Sequence, residues 1–358
     1  MRQRIPVAVW MALLAPVTGA LAQAAPPIPL QTGLTVVSAL RFPEGDRENL
    51  VLVTDASSAG ARYTWRYKQD DRSGEFSRFV RATDLAGAPR LDQVFLSSGP
   101  EESPGFTAFS ISNAVYRRLH TDPTVPFTVT SIEGGGSLRQ LGRFGALMGF
   151  RITMRGTLAL VSRKPEPMPV LVNGNRVNIP TLHLAGKFAF QGTTADTDLW
   201  IVADSTHPLI LKVVSGTDIL QTIRIDFPNS DQSVEKALTT TCRAELPGIY
   251  FDFNSATLDP ASEPVLAGVA KLLQKHGDWT IAIEGHTDSI GGAASNQALS
   301  ARRANAVRAG LTALQVAPQR LQSSGFGQTR PRELNATLEG RARNRRVELV
   351  RPCKGGSQ

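Results

Sequence analysis

The chain has 358 residues, of which 41% are apolar and 6% aromatic, and it carries 39 lysines and arginines against 31 aspartates and glutamates. That length is comfortable for two cores, and the apolar share excludes a disordered chain. The formal net charge of +8 suits anionic polymers, lipid head groups or carboxylate-rich wall material, or simply serves solubility, since charge alone does not separate these.

The opening "MRQRIPVAVWMALLAPVTGALAQ" begins with Arg2 and Arg4, runs apolar from Ile5 to Leu14 and reaches the small-x-small triplet Ala20-Leu21-Ala22. This pattern predicts a secretory leader over residues 1–22. Its apolar run is shorter than the roughly 20 residues a spanning helix needs, and no stop-transfer segment follows. Loss of the leader removes two positive charges and leaves a basic protein in an exported compartment, where anionic wall material is a better partner than nucleic acid. The residue directly after Ala22 is Gln23, not the cysteine that accepts the lipid of a lipoprotein.

Next comes "AAPPIPLQ", which reads as a flexible proline-rich spacer over 23–33. From Leu34 the pattern changes to short runs rich in Val, Ile, Thr and aromatics, separated by Gly, Pro, Asp and Ser: "LTVVSALRF", "NLVLVTDA", "ARYTWRYKQ", "PFTVTSIEGG", "GFRITMRGTLALVSR", "PTLHLAGKFAF", "TDLWIVAD", "PLILKVVSG" and "LQTIRIDF". These predict an all-β N-terminal domain over 34–228, with a hairpin turning at Ser215-Gly216-Thr217-Asp218. "EGGGSLRQLGRFGALMG" is too glycine-rich for regular structure and is expected to be a loop or a crossing between sheet segments. His183 and His207 lack a second ligand at metal spacing and read as core or turn residues. "VLVTDASSAGARYTWRYKQDDRSGEFSRFVRATD" is too charged for a lipid-facing barrel wall, so a periplasmic β-domain that stays out of the membrane is expected.

Residues 229–245 read as a polar linker with one short helix near Val234 to Leu238. Beyond it the apolar period lengthens from two to 3.6. "IYFDF" predicts a strand; a helix capped by Ser262 presents Val265, Leu266, Val269, Leu272 and Leu273; "WTIAIEGH" predicts a second strand; Leu299, Val307, Leu311 and Leu314 line a second helix; "RLQSSGFG" and "NRRVELVRP" complete the set. The order β-α-β-α-β-β predicts an α/β C-terminal domain over 246–352, a two-layer sandwich of helices on a mixed sheet, with a tail over 353–358. The two cysteines, Cys242 and Cys353, flank this domain. In an oxidising compartment a bridge between them is expected over two unrelated thiols.

Chemistry concentrates in "IEGHTDSIGGAASNQALSARRANAV". Arg303 falls on the stripe of Leu299, Val307 and Leu311, where a guanidinium needs an acidic partner. Asp288 at the preceding strand end is the candidate, with Asn296 near the helix start as a neutral donor and acceptor. Two readings stand. Either Asp288 and Arg303 pair and pin a loop to a helix, or they stand apart and receive a zwitterion, the arginine holding its carboxylate and the aspartate its ammonium group. A metal site is disfavoured because His286 and Asp288 have no further His or Cys nearby, and an enzyme because no nucleophile is marked out; neither a cofactor nor catalysis is expected.

These residues, with "GIYFDFNSATL" and "GFGQTRPRELNATLEGRARNRRVEL", resemble in order and spacing the C-terminal peptidoglycan-binding domain of the OmpA family, shared with peptidoglycan-associated lipoprotein and MotB, over about 246–352. The resemblance implies non-covalent binding of peptidoglycan through the meso-diaminopimelate of its stem peptide. It makes Asp288 and Arg303 the two gripping groups and adds Thr287, Asn296, Arg345, and Phe253 with Asn254 at a strand end lining the pocket. It also implies a periplasmic, wall-associated location, with the inner face of the outer membrane and outer-membrane or periplasmic protein partners left open. "TDLWIVADSTHPLILKVV" is similar, over one hairpin, to lipoprotein carriers of the LolA and LolB type. The β-domain is therefore read either as a tethered partner-binding module or as a carrier or enzyme-like module addressed to the wall.

Overall fold

The computed structural model describes residues 27–42, 45–69, 72–92, 102–131, 152–190, 192–216, 218–228, 232–252 and 254–352. The expected leader over 1–22, the glycine-rich stretch 133–149, Phe253 and Cys353 lie outside these residues. The N-terminal domain contains β1 (Thr35–Phe42), β2 (Gly45–Ser57), β3 (Gly60–Gln69), β4 (Arg72–Arg81), α1 (Ala82–Gly87), β5 (Arg90–Asp92) and α2 (Asn113–Thr121). It continues with β6 (Val125–Ser131), β7 (Ile152–Leu160), β8 (Glu166–Val172), β9 (Asn175–Phe190), β10 (Thr193–Val202), β11 (Ile210–Ser215) and β12 (Asp218–Asp226).

All twelve strands form one sheet in the order β4-β3-β2-β1-β12-β11-β10-β9-β7-β6-β5, with β8 pairing β9 and β12 off this path. The sheet curls until its edges meet. Segment 102–107 bridges them, pairing Phe79 with Glu102 and Leu91 with Thr107, and Arg78 of β4 makes a buried ion pair at 3.1 Å with Asp92 of β5. Such closure removes the unpaired edges that otherwise invite aggregation.

The β-rich expectation holds, with two departures. Helices α1 and α2 interrupt the strands; α2 begins where the Ser112 hydroxyl accepts from the Val115 N–H. Residues 27–33 are not a free spacer: Ile28 is buried in the core, its carbonyl meets His207 Nδ1 at 2.9 Å, and the Gly33 N–H donates to the Val53 carbonyl. Pro27 and Pro29 flank an apolar residue that the core takes up. The β11–β12 hairpin turns at Gly216, whose φ of +58° suits glycine. His183 hydrogen-bonds Asp198 at 2.8 Å and stacks on Trp200, while His207 is a core residue.

The second sheet has the order β13-β16-β14-β15, built from β13 (Arg243–Glu245), β14 (Ile281–Gly285), β15 (Leu321–Gly325) and β16 (Val347–Val350). Strands β14 and β15 are parallel and β16 is antiparallel to β14, so the sheet is mixed. Before it lies α3 (Gln232–Thr240), and on it pack α4 (Glu263–Lys275) and α5 (Ala293–Ala313); a short α6 (Leu338–Asn344) separates β15 from β16. The expected order is corrected in two places. The first strand is β13, inside the expected linker, because "IYFDF" forms only an isolated bridge from Phe251 to Leu258. The last two strands are separated by α6, started by the Thr337 hydroxyl accepting from Gly340 N–H.

Ser262 does not cap α4 through its side chain. Its buried hydroxyl instead exchanges hydrogen bonds with the backbone of Tyr250, and Asp259 accepts from Ala261 N–H one turn earlier. Leu266, Val269, Leu272 and Leu273 are buried as expected, and so are Leu299, Val307 and Leu311, but Leu314 is exposed because α5 ends there and the chain turns at Gln315. No helix among the described residues is long and apolar enough to cross a membrane.

The domains share an apolar cluster. Val37, Ala39, Leu50, Leu171 and Ile223 from the β-domain pack with Tyr250, Leu338 and Ala342. Around it the Tyr250 hydroxyl donates to Asp226 at 2.5 Å, and Arg224 donates to the carbonyls of Ala342 and Arg345. Helix α6 is thus fixed against β12, and Arg345 follows directly at its C-terminus.

Candidate binding site

Strand β14 delivers His286, Thr287 and Asp288 to the mouth between the two domains. Backbone bonds pin this exit: the His286 N–H donates to the Arg346 carbonyl and the Thr287 N–H to the Gly327 carbonyl. Helix α5 lies unusually close behind it. A Cβ on Gly285 would sit 2.2 Å from the Ser300 carbonyl oxygen, and one on Gly325 2.3 Å from the Ala301 nitrogen. The glycines therefore bring the helix to the sheet; they do not open the backbone to a ligand.

Asp288 is buried but not sealed. Its Oδ1 accepts from the Ile290 N–H at 2.9 Å, and its Oδ2 pairs with Arg345 Nη1 at 2.5 Å. Asn296 spreads its amide N–H groups over the Asp288 carbonyl, the Ile290 carbonyl and Gln328 Oε1 at 3.2, 3.0 and 2.8 Å. It clamps the turn that carries Asp288. Thr287 does the same from the other side, its hydroxyl donating to the Asp288 carbonyl at 2.9 Å.

Arg303 does not pair with Asp288. Its Nε donates to the Ser255 carbonyl at 2.9 Å, its Nη2 reaches the Asp252 carbonyl at 3.5 Å, and its guanidinium lies 4.9 Å from the centre of the Phe251 ring. It makes no ion pair among the described residues. Burial lowers its pKa to about 10, against the pull of Glu48, so the group stays charged near neutrality. Asn254, exposed in the same segment, turns the chain with a φ of +49°, a conformation Asn tolerates. The structural pairing of Asp288 with Arg303 is therefore not what the fold builds, and the acid's partner is Arg345.

Residues 250–345 match the model of the OmpA family. This segment is an OmpA-family domain. The chain is 41% identical over 102 residues to the probable lipoprotein YiaD of Escherichia coli, which covers 28% of this chain and 47% of that protein. It is 42% identical over 102 residues to the peptidoglycan-binding protein ArfA of Mycobacterium bovis, covering 28% of this chain and 31% of that protein. Among solved structures, the peptidoglycan-associated lipoprotein from Burkholderia pseudomallei is 34% identical, with 29% of this chain and 88% of that chain covered and a TM-score of 0.28. The chain thus spans less than half the length of these two curated relatives.

Two features around the site escape a linear reading. The first is Glu48 of β2, whose Oε1 accepts from Arg345 Nε at 2.9 Å and Nη2 at 2.6 Å. Its only linear signal is an acid in a charged strand. The second is a buried cluster of Glu284, His286 and Glu348, whose ligand-type atoms all lie within 4.8 Å of one another. The period of two on β14 puts Glu284 beside His286, but Glu348 arrives from β16. Arg243 pairs with both carboxylates, Arg332 and Arg346 with Glu348, and Arg330 approaches Glu284 at 3.6 Å. Four guanidiniums on two carboxylates make this an ion-pair network that repels a dication.

Proposed function

We propose that the OmpA-family domain holds peptidoglycan non-covalently through the meso-diaminopimelate of the stem peptide, and so attaches the β-domain to the cell wall from the periplasm. The observation that carries this reading is that Asp288 and Arg345 pair while Arg303 lies close enough to feel the charge of both, which offers an anion and two cations to a side chain bearing both an ammonium and a carboxylate group. Asp288 accepts from the ammonium group and the arginines meet the carboxylate. Asn296 and Thr287 hold the Asp288 turn in place, and Asn254 shapes the opposite rim; the family resemblance adds Phe253, which lies outside the described residues. The name of the peptidoglycan-binding relative supports the ligand class. All of these are binding contacts, and no step of bond making is assigned to them.

The domain junction also supports tethering over carriage. Two apolar clusters pack within the described β-domain, and a cavity of about 350 Å³ lies between β8 and the start of α6, lined by Glu166, Met168, Trp200, Lys212, Leu338 and Glu339. Both faces of Trp200 there are covered, by His183 and by Lys212. A mixed polar cleft of this kind does not suit an acyl chain.

Co-sedimentation of the purified chain with insoluble sacculi tests the reading. Charge-assisted hydrogen bonds contribute roughly 1.5–3 kcal/mol each, so Asp288→Ala and Arg303→Ala should each weaken binding at least tenfold, by about 1.4 kcal/mol or more, with unchanged circular dichroism. Undiminished binding by both variants contradicts the site.

A further inference from the structure

Each of the three guanidinium nitrogens of Arg345 donates to a carboxylate before any ligand arrives. Nη1 serves Asp288, and the Nε–Nη2 edge, the edge that recognises carboxylates, is taken by Glu48. Glu48 is not a loosely placed side chain. It pairs with Ala39 in the β1–β2 ladder, two residues before Leu50, and both Ala39 and Leu50 belong to the cluster that joins the domains. Arg224, which donates to the Arg345 carbonyl, supports the same contact from β12 and, with Arg345 and Arg303, holds the Glu48 carboxyl below its usual range despite burial. The β-domain thus presents a carboxylate to the site from a strand paired in the sheet.

We propose that Glu48 is an internal occupant of the carboxylate subsite, so that the β-domain and a wall ligand compete for Arg345. This rests on the proposed binding of a zwitterionic stem-peptide residue, and it adds regulation to that site. A ligand carboxylate reaching the Nε–Nη2 edge displaces Glu48, and a carboxylate held by Arg303 alone meets a negative charge beside it. Wall binding is therefore coupled to release of β2 from the end of α6. Anything that pulls the β-domain away from this edge, including a partner that grips it, raises affinity for the wall.

Sacculus binding by the full chain distinguishes the possibilities. Glu48→Gln keeps the side-chain volume and removes the charge, and Glu48→Ala removes both; each should bind at least fivefold more tightly than the unmodified chain. Equal or weaker binding by both overturns the masking, and weaker binding would show that Glu48 instead helps to grip the ammonium group. Asp288→Ala in the same assay separates this from the underlying reading: if it loses binding while the Glu48 variants gain none, only the masking fails, and if it binds like the unmodified chain, both fail. On the unmodified chain, a saturating soluble muropeptide bearing diaminopimelate should raise amide hydrogen exchange along β2; unchanged exchange overturns the displacement.

Discussion

His286 shows how a residue next to the binding mouth can be structural. Its ring is buried against Phe326, and neither nitrogen has a hydrogen-bond partner among the described residues. Burial, reinforced by Arg346, Arg243 and Arg330 and opposed by Glu348, lowers its pKa from the ordinary histidine value of 6.5 to about 4. The folded state then keeps the ring neutral while the unfolded chain takes up a proton below pH 6.5, so stability falls as pH drops from 6.5 to about 4 and the effect levels off below. Glu348, which its three arginines hold down to about 2 against the opposing effect of burial, acts in a separate window between 4.5 and 2. Urea midpoints measured at pH 7, 5.5 and 4.5 should fall less for His286→Phe than for the unmodified protein; identical slopes would contradict this assignment. At this scale the sequence made Asp288 and Arg303 legible through a strand end and a helical stripe, and Arg345 through resemblance. Glu48 was hidden because its partner lies 297 positions away and no local period links them.

Among the elements, strands with β-branched alternation, such as β1, β10 and β12, announced themselves. β4 did not, because a charged run masks its alternation, and β8 carries Pro167 and Pro169, which read as turn residues although they are accommodated opposite Pro180 and Asn178 in the ladder with β9. β13 is three residues long and was submerged in a polar linker. Its pairing with β16 bears on the cysteines. Arg243 faces Val350 in that ladder and the Arg351 N–H donates to the Cys242 carbonyl at 2.8 Å, so the chain leaves β16 alongside Cys242. No cysteine among the described residues is free. We expect the Cys242–Cys353 bridge, which would close a loop spanning essentially the whole OmpA-family domain and contribute roughly 4–5 kcal/mol by the chain-entropy argument. Peptide mapping without reduction should return the two cysteines as one linked species, and two free thiols would refute the bridge.

At the scale of the whole molecule, the two domains were legible as two periods of apolar spacing, but their relation was not. A linker suggested a β-domain trailing from an anchor; instead β1, β2, β8 and β12 share a core with α6, and the binding mouth opens toward β2. The proposed site thus draws its binding residues from one domain, and Glu48 of the other sits on its Arg345. Its central chemical claim is recognition of a side chain carrying both charges. Calorimetric titration of the full chain with two soluble stem peptides, identical except for meso-diaminopimelate or lysine at the third position, isolates the contribution of the extra carboxylate. The diaminopimelate peptide should bind at least tenfold more tightly, with the difference lost in Arg303→Ala. Equal affinity for both peptides would refute recognition of the second charge.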